Sequence, residues 1–259
     1  MPNGIRIIYS AFRMAMLHWI ADPQWVIPNI IAPFVFTIVA LTLFGSSSGP
    51  FGLYAVLGGG MMGVWGNTLY SSGFAIEFEK WQGTLEEVLA APSKLLHVIA
   101  GRSVCNALLG LINMVAILAI AAFLYGVDFS QANIITLVVS VFLTAFTMAG
   151  YGLLIGGFSF YFRDPMIFAN IFTFILLIFC GVNFPVSYLP PIAQYVSYAF
   201  PLTYGIEAAR AAIAGSSLLD VLPTLGWQVL IGVGSMFIGY VFFRAFENTA
   251  RRTGRLEAQ

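Results

Sequence analysis

Long uncharged apolar runs separated by short polar clusters set the pattern of this chain. Uncharged stretches cover residues 23–76, 103–127, 129–162, 165–206 and 221–243. Each reaches or exceeds the ~20 residues that carry a helix across a bilayer core. Strands of a membrane barrel would instead alternate polar and apolar at every second position, and these runs do not. The pattern predicts an all-α integral membrane protein. Turn and charge signals divide it into six spans at residues 24–44, 51–76, 94–125, 131–160, 166–183 and 219–243.

The segments around these spans have their own signatures. Residues 1–22 mix Arg6, Arg13 and His18 with Ile5, Ile8, Tyr9, Phe12, Met16 and Trp19. That apolar set approximates a helical stripe, as in an amphipathic helix lying on a membrane surface. Asp22-Pro23 then places a capping carboxylate before a proline suited to the first helical position. Arg163, Asp164 and Pro165 repeat the signal at the start of the fifth span, where a cap and an interfacial anchor account for most of it. Gly59 with Gly63, and Gly152 with Gly156, have the spacing of small residues that let helices approach closely.

Residues 184–218 are apolar but broken by Pro185, Pro190, Pro191, Pro201 and Gly215, so no continuous spanning helix fits them. Two short helices at about 191–198 and 202–214 fit better. Broken backbone at membrane depth must be packed in protein or line a cavity, which predicts a re-entrant hairpin on the outer face. A polar tail, residues 244–259, closes a single transmembrane domain of residues 1–259.

Basic residues orient the spans. One side receives Arg6, Arg13, Lys80, Lys94, Arg102, Arg163, Arg244, Arg251, Arg252 and Arg255, and the other only Arg210, of 11 in all. That asymmetry places both termini in the cytoplasm. Composition agrees, since the chain is 59% apolar and 8% charged, against roughly 25% charged in a soluble domain. The net charge is zero, so composition argues neither for nor against nucleic acid, and none is expected as a partner. Cys105 and Cys180 fall inside predicted spans and read as buried free thiols. The first apolar run is too long for a cleaved signal peptide and contains Pro28 and Pro33.

Two segments carry candidate chemistry. In the loop at residues 79–92, Thr84 and Glu87 have capping-box spacing, so a short helix should begin at Leu85 and finish before Pro92. Leu85, Val88 and Leu89 share one face, and Glu86 and Glu87 point elsewhere. Such a helix either rests on the lipid interface or offers its surface to a soluble partner. In the punctuated segment, Glu207 and Arg210 are spaced i, i+3. They form a structural ion pair or act as functional charges at membrane depth. Catalytic constellations are missing from the sequence. There is no metal-spaced histidine pair, no Gly-x-Ser-x-Gly elbow and no Gly-x-x-x-x-Gly-Lys-Ser/Thr phosphate loop. No row of intramembrane carboxylates marks a proton relay.

The run Glu79-Lys-Trp-Gln-Gly-Thr-Leu-Glu-Glu-Val-Leu-Ala-Ala-Pro92 resembles the "GTLE…L…P" loop of ATP-binding-cassette type-2 exporter permeases. Phe162-Arg-Asp-Pro165, Gly181-Val-Asn-Phe-Pro185, Leu189-Pro190, Phe200-Pro-Leu-Thr-Tyr204, Glu207 and Arg210 are similar to that family's C-terminal signature. The resemblance covers nearly the whole chain, in order. It implies a type V exporter-like fold: six spans, an interfacial N-terminal helix and re-entrant outer helices between spans five and six. It further implies a bacterial inner-membrane transport subunit, not itself an enzyme, that pairs with a second copy or close homologue among membrane lipids. Two separate ATPase subunits would bind ATP and Mg, and this chain would hold no cofactor or metal.

By the same resemblance, Glu79, Gly83, Thr84, Leu85, Glu86, Glu87, Val88, Leu89 and Pro92 form the coupling helix and its flanks, which dock on the ATPase. Pro185, Leu189, Pro190, Pro201, Glu207 and Arg210 fall on the outer gate. The N-terminal region lacks the basic Arg-Tyr-rich, Leu-Gly-x-x-Trp pattern of polysaccharide exporters. It looks closer to the branch typified by daunorubicin-resistance permeases, which implies export of an amphipathic drug-like or lipid-linked substrate. The alternatives are a polysaccharide or glycolipid exporter, an ion-coupled secondary transporter and, for want of convergent polar residues the weakest, a membrane enzyme.

Overall fold

The computed structural model describes residues 4–21, 23–44, 50–73, 83, 95–126, 129–158 and 166–253. Every regular element among them is helical. The chain forms α1 (Gly4–Ala21), α2 (Pro23–Phe44), α3 (Pro50–Gly73), α4 (Leu95–Tyr125), α5 (Ile134–Phe158) and α6 (Met166–Phe179). A 3-10 turn at Val186–Tyr188 leads to α7 (Pro191–Ser197), α8 (Pro201–Ile213) and α9 (Leu218–Thr253).

Among the described residues, His97–Phe123 in α4, Ile134–Ile155 in α5 and Leu218–Ala245 in α9 are long and apolar enough to cross a membrane. They have 27, 22 and 28 residues. At about 1.5 Å per residue each exceeds the ~30 Å hydrocarbon core. The chain is therefore a helical membrane protein. Helices α2 and α3, of 22 and 24 residues, carry no charge.

Local chemistry sets the ends of these helices. Gly126, at φ 65, ends α4 in the left-handed region where a side chain is strained. Asn133, rather than Gln131, opens α5: its Oδ1 accepts the Thr136 N–H at 3.1 Å, a side-chain cap. The fifth predicted span, residues 166–183, needs correction. Its helix stops at Phe179 after 14 residues, about 21 Å of rise. Gly181, at φ 73, turns the chain there. The polar tail begins as a continuation of α9, which stays helical to Thr253.

Helix α5 is the packing centre, touching α9, α3, α8 and α4. Among the described residues the largest fully buried side chains include Trp65, Leu57 and Met61 of α3, Phe243 of α9, Met148 of α5, and Leu202 and Ile206 of α8. Three buried hydroxyls on α5 are satisfied within the helix, whereas that of Thr136 has no protein partner. Ser140, Thr144 and Thr147 donate to the carbonyls of Thr136, Ser140 and Leu143 at 2.7, 2.7 and 2.8 Å. Their presence in a dry core therefore needs no partner helix.

Small residues bring the axes together. Gly63 lies between Asn113 of α4 and Pro33 of α2, as its spacing with Gly59 predicted. On α5, Gly152 is buried, but the tight crossing falls earlier, at Gly150. A Cβ there would stand 2.8 Å from the Met236 Cα of α9, and one at Gly239 would stand 2.5 Å from the Gly150 carbonyl. By contrast, Gly234 on the same α9 has open space around it.

Gly150→Ala should therefore destabilise the protein by about 1–3 kcal/mol through overpacking. Gly234→Ala should be neutral or stabilising, because alanine favours helix by up to about 1 kcal/mol. Melting temperatures of the two variants in nanodiscs check this; equal shifts would show that the α5–α9 crossing does not constrain the fold.

Candidate functional site

Prolines build the segment between α6 and α9. Pro185 precedes the 3-10 turn, Pro190 precedes α7 with Pro191 in its first turn, and Phe200 precedes α8 with Pro201 in its first turn. A proline is tolerated there because the first helical N–H groups have no intrahelical acceptor. The two short helices expected at 191–198 and 202–214 are thus present nearly residue for residue. Gly215, at φ 93, turns the chain into α9.

Side chains take up the carbonyls that these breaks leave open. Thr203 Oγ1 donates to Ser197 O at 2.6 Å, Tyr204 OH to Tyr198 O at 3.2 Å and Gln194 Nε2 to Leu189 O at 2.8 Å. Tyr151 OH, from α5, donates to Ala199 O at 3.3 Å. The Tyr151, Phe172 and Phe200 rings pack on one another beside that bond, with centroids 5.2 to 5.8 Å apart.

These contacts fix how the α7–α8 hairpin lies on α5. At one end of α8, the Asn133 N–H donates to Ala212 O at 2.8 Å. In the middle, Gly205 lies against Thr144, whose Oγ1 accepts from Gln228 Nε2 of α9 at 2.9 Å. At the other end, Ala199 meets Tyr151. Helix α8 therefore runs antiparallel along α5, and the α7–α8 joint at Ala199 lies about 20 Å from the Asn133–Ala212 contact, at about 1.5 Å per residue along α8.

Glu207 and Arg210 project from α8 into a cavity of about 240 Å³ that Cys180, Pro185, Ser187 and Tyr198 also line. Tyr198 OH donates to Glu207 Oε1 at 3.2 Å. Arg210 Nη2 donates to Val182 O at 3.3 Å, which pins the bend after α6 to α8. Burial pushes the Glu207 carboxyl up, while the Tyr198 hydrogen bond and the Arg210 charge pull it down. The cavity thus holds one carboxyl and one guanidinium side by side.

The family model of the ABC-2 type transporter matches residues 7–214, from α1 to the end of α8. The chain belongs to the ABC-2 type transporter family. "Inner membrane transport permease YadH" of Escherichia coli (strain K12) is 28% identical over 220 residues, covering 83% of this chain and 85% of its own. "Probable multidrug ABC transporter permease YbhR" of the same strain is 24% identical over 160 residues, 59% of this chain and 41% of its own. "ABC transporter eupT" of Phoma sp is 31% identical over 86 residues, 33% of this chain and 6% of its own. The chain is accordingly the membrane permease subunit of an ABC transporter, and its partner in that setting is an ATPase.

Within this ABC-2 permease, the residues singled out by sequence separate into two groups. Pro185, Leu189, Pro190 and Pro201 shape the punctuated segment, and Glu207 and Arg210 meet in its cavity. The expected coupling helix (Glu79, Thr84, Leu85, Glu86, Glu87, Val88, Leu89 and Pro92) lies outside the described residues, as do Arg163, Asp164 and Pro165. Of that loop only Gly83 is described, exposed and at φ 69. Sequence reasoning missed Tyr198 and the Val182 carbonyl. Neither carries a local signal, because each reaches α8 only through the turns at Gly181 and Phe200.

Thr203→Val keeps the side-chain shape and removes the bond to Ser197 O. It should cost about 0.5–1.5 kcal/mol, since the Ser197 carbonyl loses its side-chain donor and keeps only the Phe200 N–H. Hydrogen exchange at the amides of α7 and α8, together with thermal melting, reads this directly. Unchanged protection would mean that the bond does not hold the joint.

Proposed function

We propose that this ABC-2 permease exports an amphipathic drug-like or lipid-linked substrate from the cytoplasm or inner leaflet of a bacterial cytoplasmic membrane. In this reading α2, α3 and α6 join the three long apolar spans to give six, and both termini are cytoplasmic. Helix α1 lies in the interface. Its outward face carries Ile5, Tyr9 and Leu17 beside Arg6 and Arg13, a mixture suited to lipid headgroups, and its buried Ala11 faces Gly101 of α4.

The α7–α8 hairpin is re-entrant from the outer side and closes the external end of the pathway. The observation that carries this is its course along α5, from Asn133 near the outer end to Tyr151, because non-helical backbone at depth is tolerated only where protein buries it. On the cytoplasmic side, the loop at 79–92 docks on the ATPase. Two permeases and two ATPases make the working unit, and ATP binding changes the packing between the permease halves. The names of the relatives support this placement, one being an inner membrane permease and another a probable multidrug permease.

Co-expression with the ATPase encoded beside it, followed by reconstitution in nanodiscs, tests the reading. The two proteins should co-purify, and one class in a panel of drugs, lipids and glycolipids should stimulate ATP hydrolysis. Stimulation by glycolipid alone would replace the drug or lipid substrate. Failure to associate with any ATPase would favour an ion-coupled carrier. Reversing the charge at both Glu86 and Glu87 should weaken co-purification about tenfold or more without changing membrane insertion; normal co-purification would remove both residues from the docking surface.

A further inference from the structure

The cavity beside α8 has a composition that selects a ligand. Its volume is about 240 Å³, below the ~300–1,000 Å³ of pockets that enclose drug-sized molecules. It admits a headgroup and leaves a tail outside. Ser187 and Tyr198, both exposed, rim its mouth, and Cys180 and Pro185 line it further.

Two charged groups decide which headgroup fits. Glu207 and Arg210 sit one helical turn apart, a spacing that puts their Cβ atoms about 5–6 Å from each other. A lone anion drawn to Arg210 meets the Glu207 carboxylate, and a lone cation drawn to Glu207 meets the guanidinium. A molecule with both charges on a short linker satisfies both at once. Glu207 also favours one kind of cation. A primary ammonium can donate hydrogen bonds to its carboxylate, whereas a quaternary ammonium cannot and binds best inside an aromatic cage. Among the described residues Tyr198 is the one aromatic lining this cavity, with Tyr204 packed on it at 5.6 Å, and two neighbouring tyrosines do not make a cage.

We infer that this cavity binds a zwitterionic group made of a primary ammonium and a phosphate, with the ammonium on Glu207 and Tyr198 and the phosphate on Arg210. This rests on the outer placement of the hairpin proposed above and deepens it. The site would hold an aminoethyl phospholipid headgroup at the closed external end of the pathway, making such a lipid a substrate or a gate ligand. The same chemistry exists in soluble aminoethyl phosphate.

Native mass spectrometry of the permease released from nanodiscs of equal phosphatidylethanolamine, phosphatidylcholine and phosphatidylglycerol tests this. The wild type should retain phosphatidylethanolamine over the other two by about tenfold, as a charge-assisted hydrogen bond would give. Glu207→Gln should lose that preference and shift toward phosphatidylglycerol, whose phosphate still meets Arg210. A merely misfolded variant would lose all lipids alike. Ser187→Trp fills the mouth without touching either charge and should abolish retention while melting near the wild-type temperature.

Equal retention of the three lipids, unchanged selectivity in Glu207→Gln, or normal retention in a folded Ser187→Trp would each overturn the inference. Adding soluble aminoethyl phosphate separates the sources. Displacement of the lipid assigns the site to the free compound, and no displacement assigns it to the lipid. ATPase co-purification, measured in parallel, is independent of lipid retention. A permease that binds its ATPase but shows no headgroup preference sinks this inference alone, and the converse sinks only the exporter reading.

Discussion

A backbone carbonyl away from water must find a donor, and leaving one unmet costs about 1–3 kcal/mol. Between Cys180 and Leu218 the chain repeatedly leaves helical geometry in an apolar setting, so this constraint governs what the segment can be. Each carbonyl named above takes a different side-chain donor, and Ser197 O also accepts the Phe200 N–H. Thr203 answers Ser197, Tyr204 answers Tyr198, Tyr151 answers Ala199, Gln194 answers Leu189, and Arg210 answers Val182. The residues that look like ornament in an apolar stretch are the ones that let its backbone break.

That accounting also changes what Arg210 is. Read from sequence, it is half of an i, i+3 pair with Glu207. In the folded chain it donates to a backbone carbonyl that lies 28 residues earlier, and Glu207 accepts from the phenol of Tyr198 at the end of α7. The pair is anchored from two sides, with Arg210 on the bend after α6 and Glu207 on the end of α7. The charges therefore tie three consecutive pieces of chain together as well as facing each other.

How far the sequence could be read depends on where the signal was local. The short helices α7 and α8 were legible because Pro190, Pro191 and Pro201 act on their immediate neighbours. The end of α6 was not, because Phe179 to Val182 contains no polar residue and only Gly181 marks the turn. The extension of α9 to Thr253 was missed for the opposite reason. Its polar residues end an apolar span, and helix formation does not require apolarity. In the candidate site, Glu207 and Arg210 stood out as charges in an uncharged stretch, whereas Tyr198 was one tyrosine among 11. Its importance depends on a hydrogen bond across a turn, which no periodicity encodes.

The glycines of α3 support two mechanical pictures, a surface that slides and a surface that is locked. Their neighbours distinguish between them. A Cβ at Gly58 would collide with the Val182 carbonyl, one at Gly59 with the Thr37 hydroxyl of α2, and one at Gly60 with the Met114 sulfur of α4. Successive glycines therefore touch separate elements on different sides of one helix. A sliding interface would confine its small residues to one face, at i and i+4, as Gly59 and Gly63 lie toward Pro33 of α2, and would leave the other faces without close contacts. Here α3 is enclosed on several sides, and its outer contact is the same Val182 carbonyl that Arg210 holds. Axial movement of α3 would have to carry that bend with it or break the contact. Close packing accounts for the glycines, and it braces α3 against the bend that follows α6.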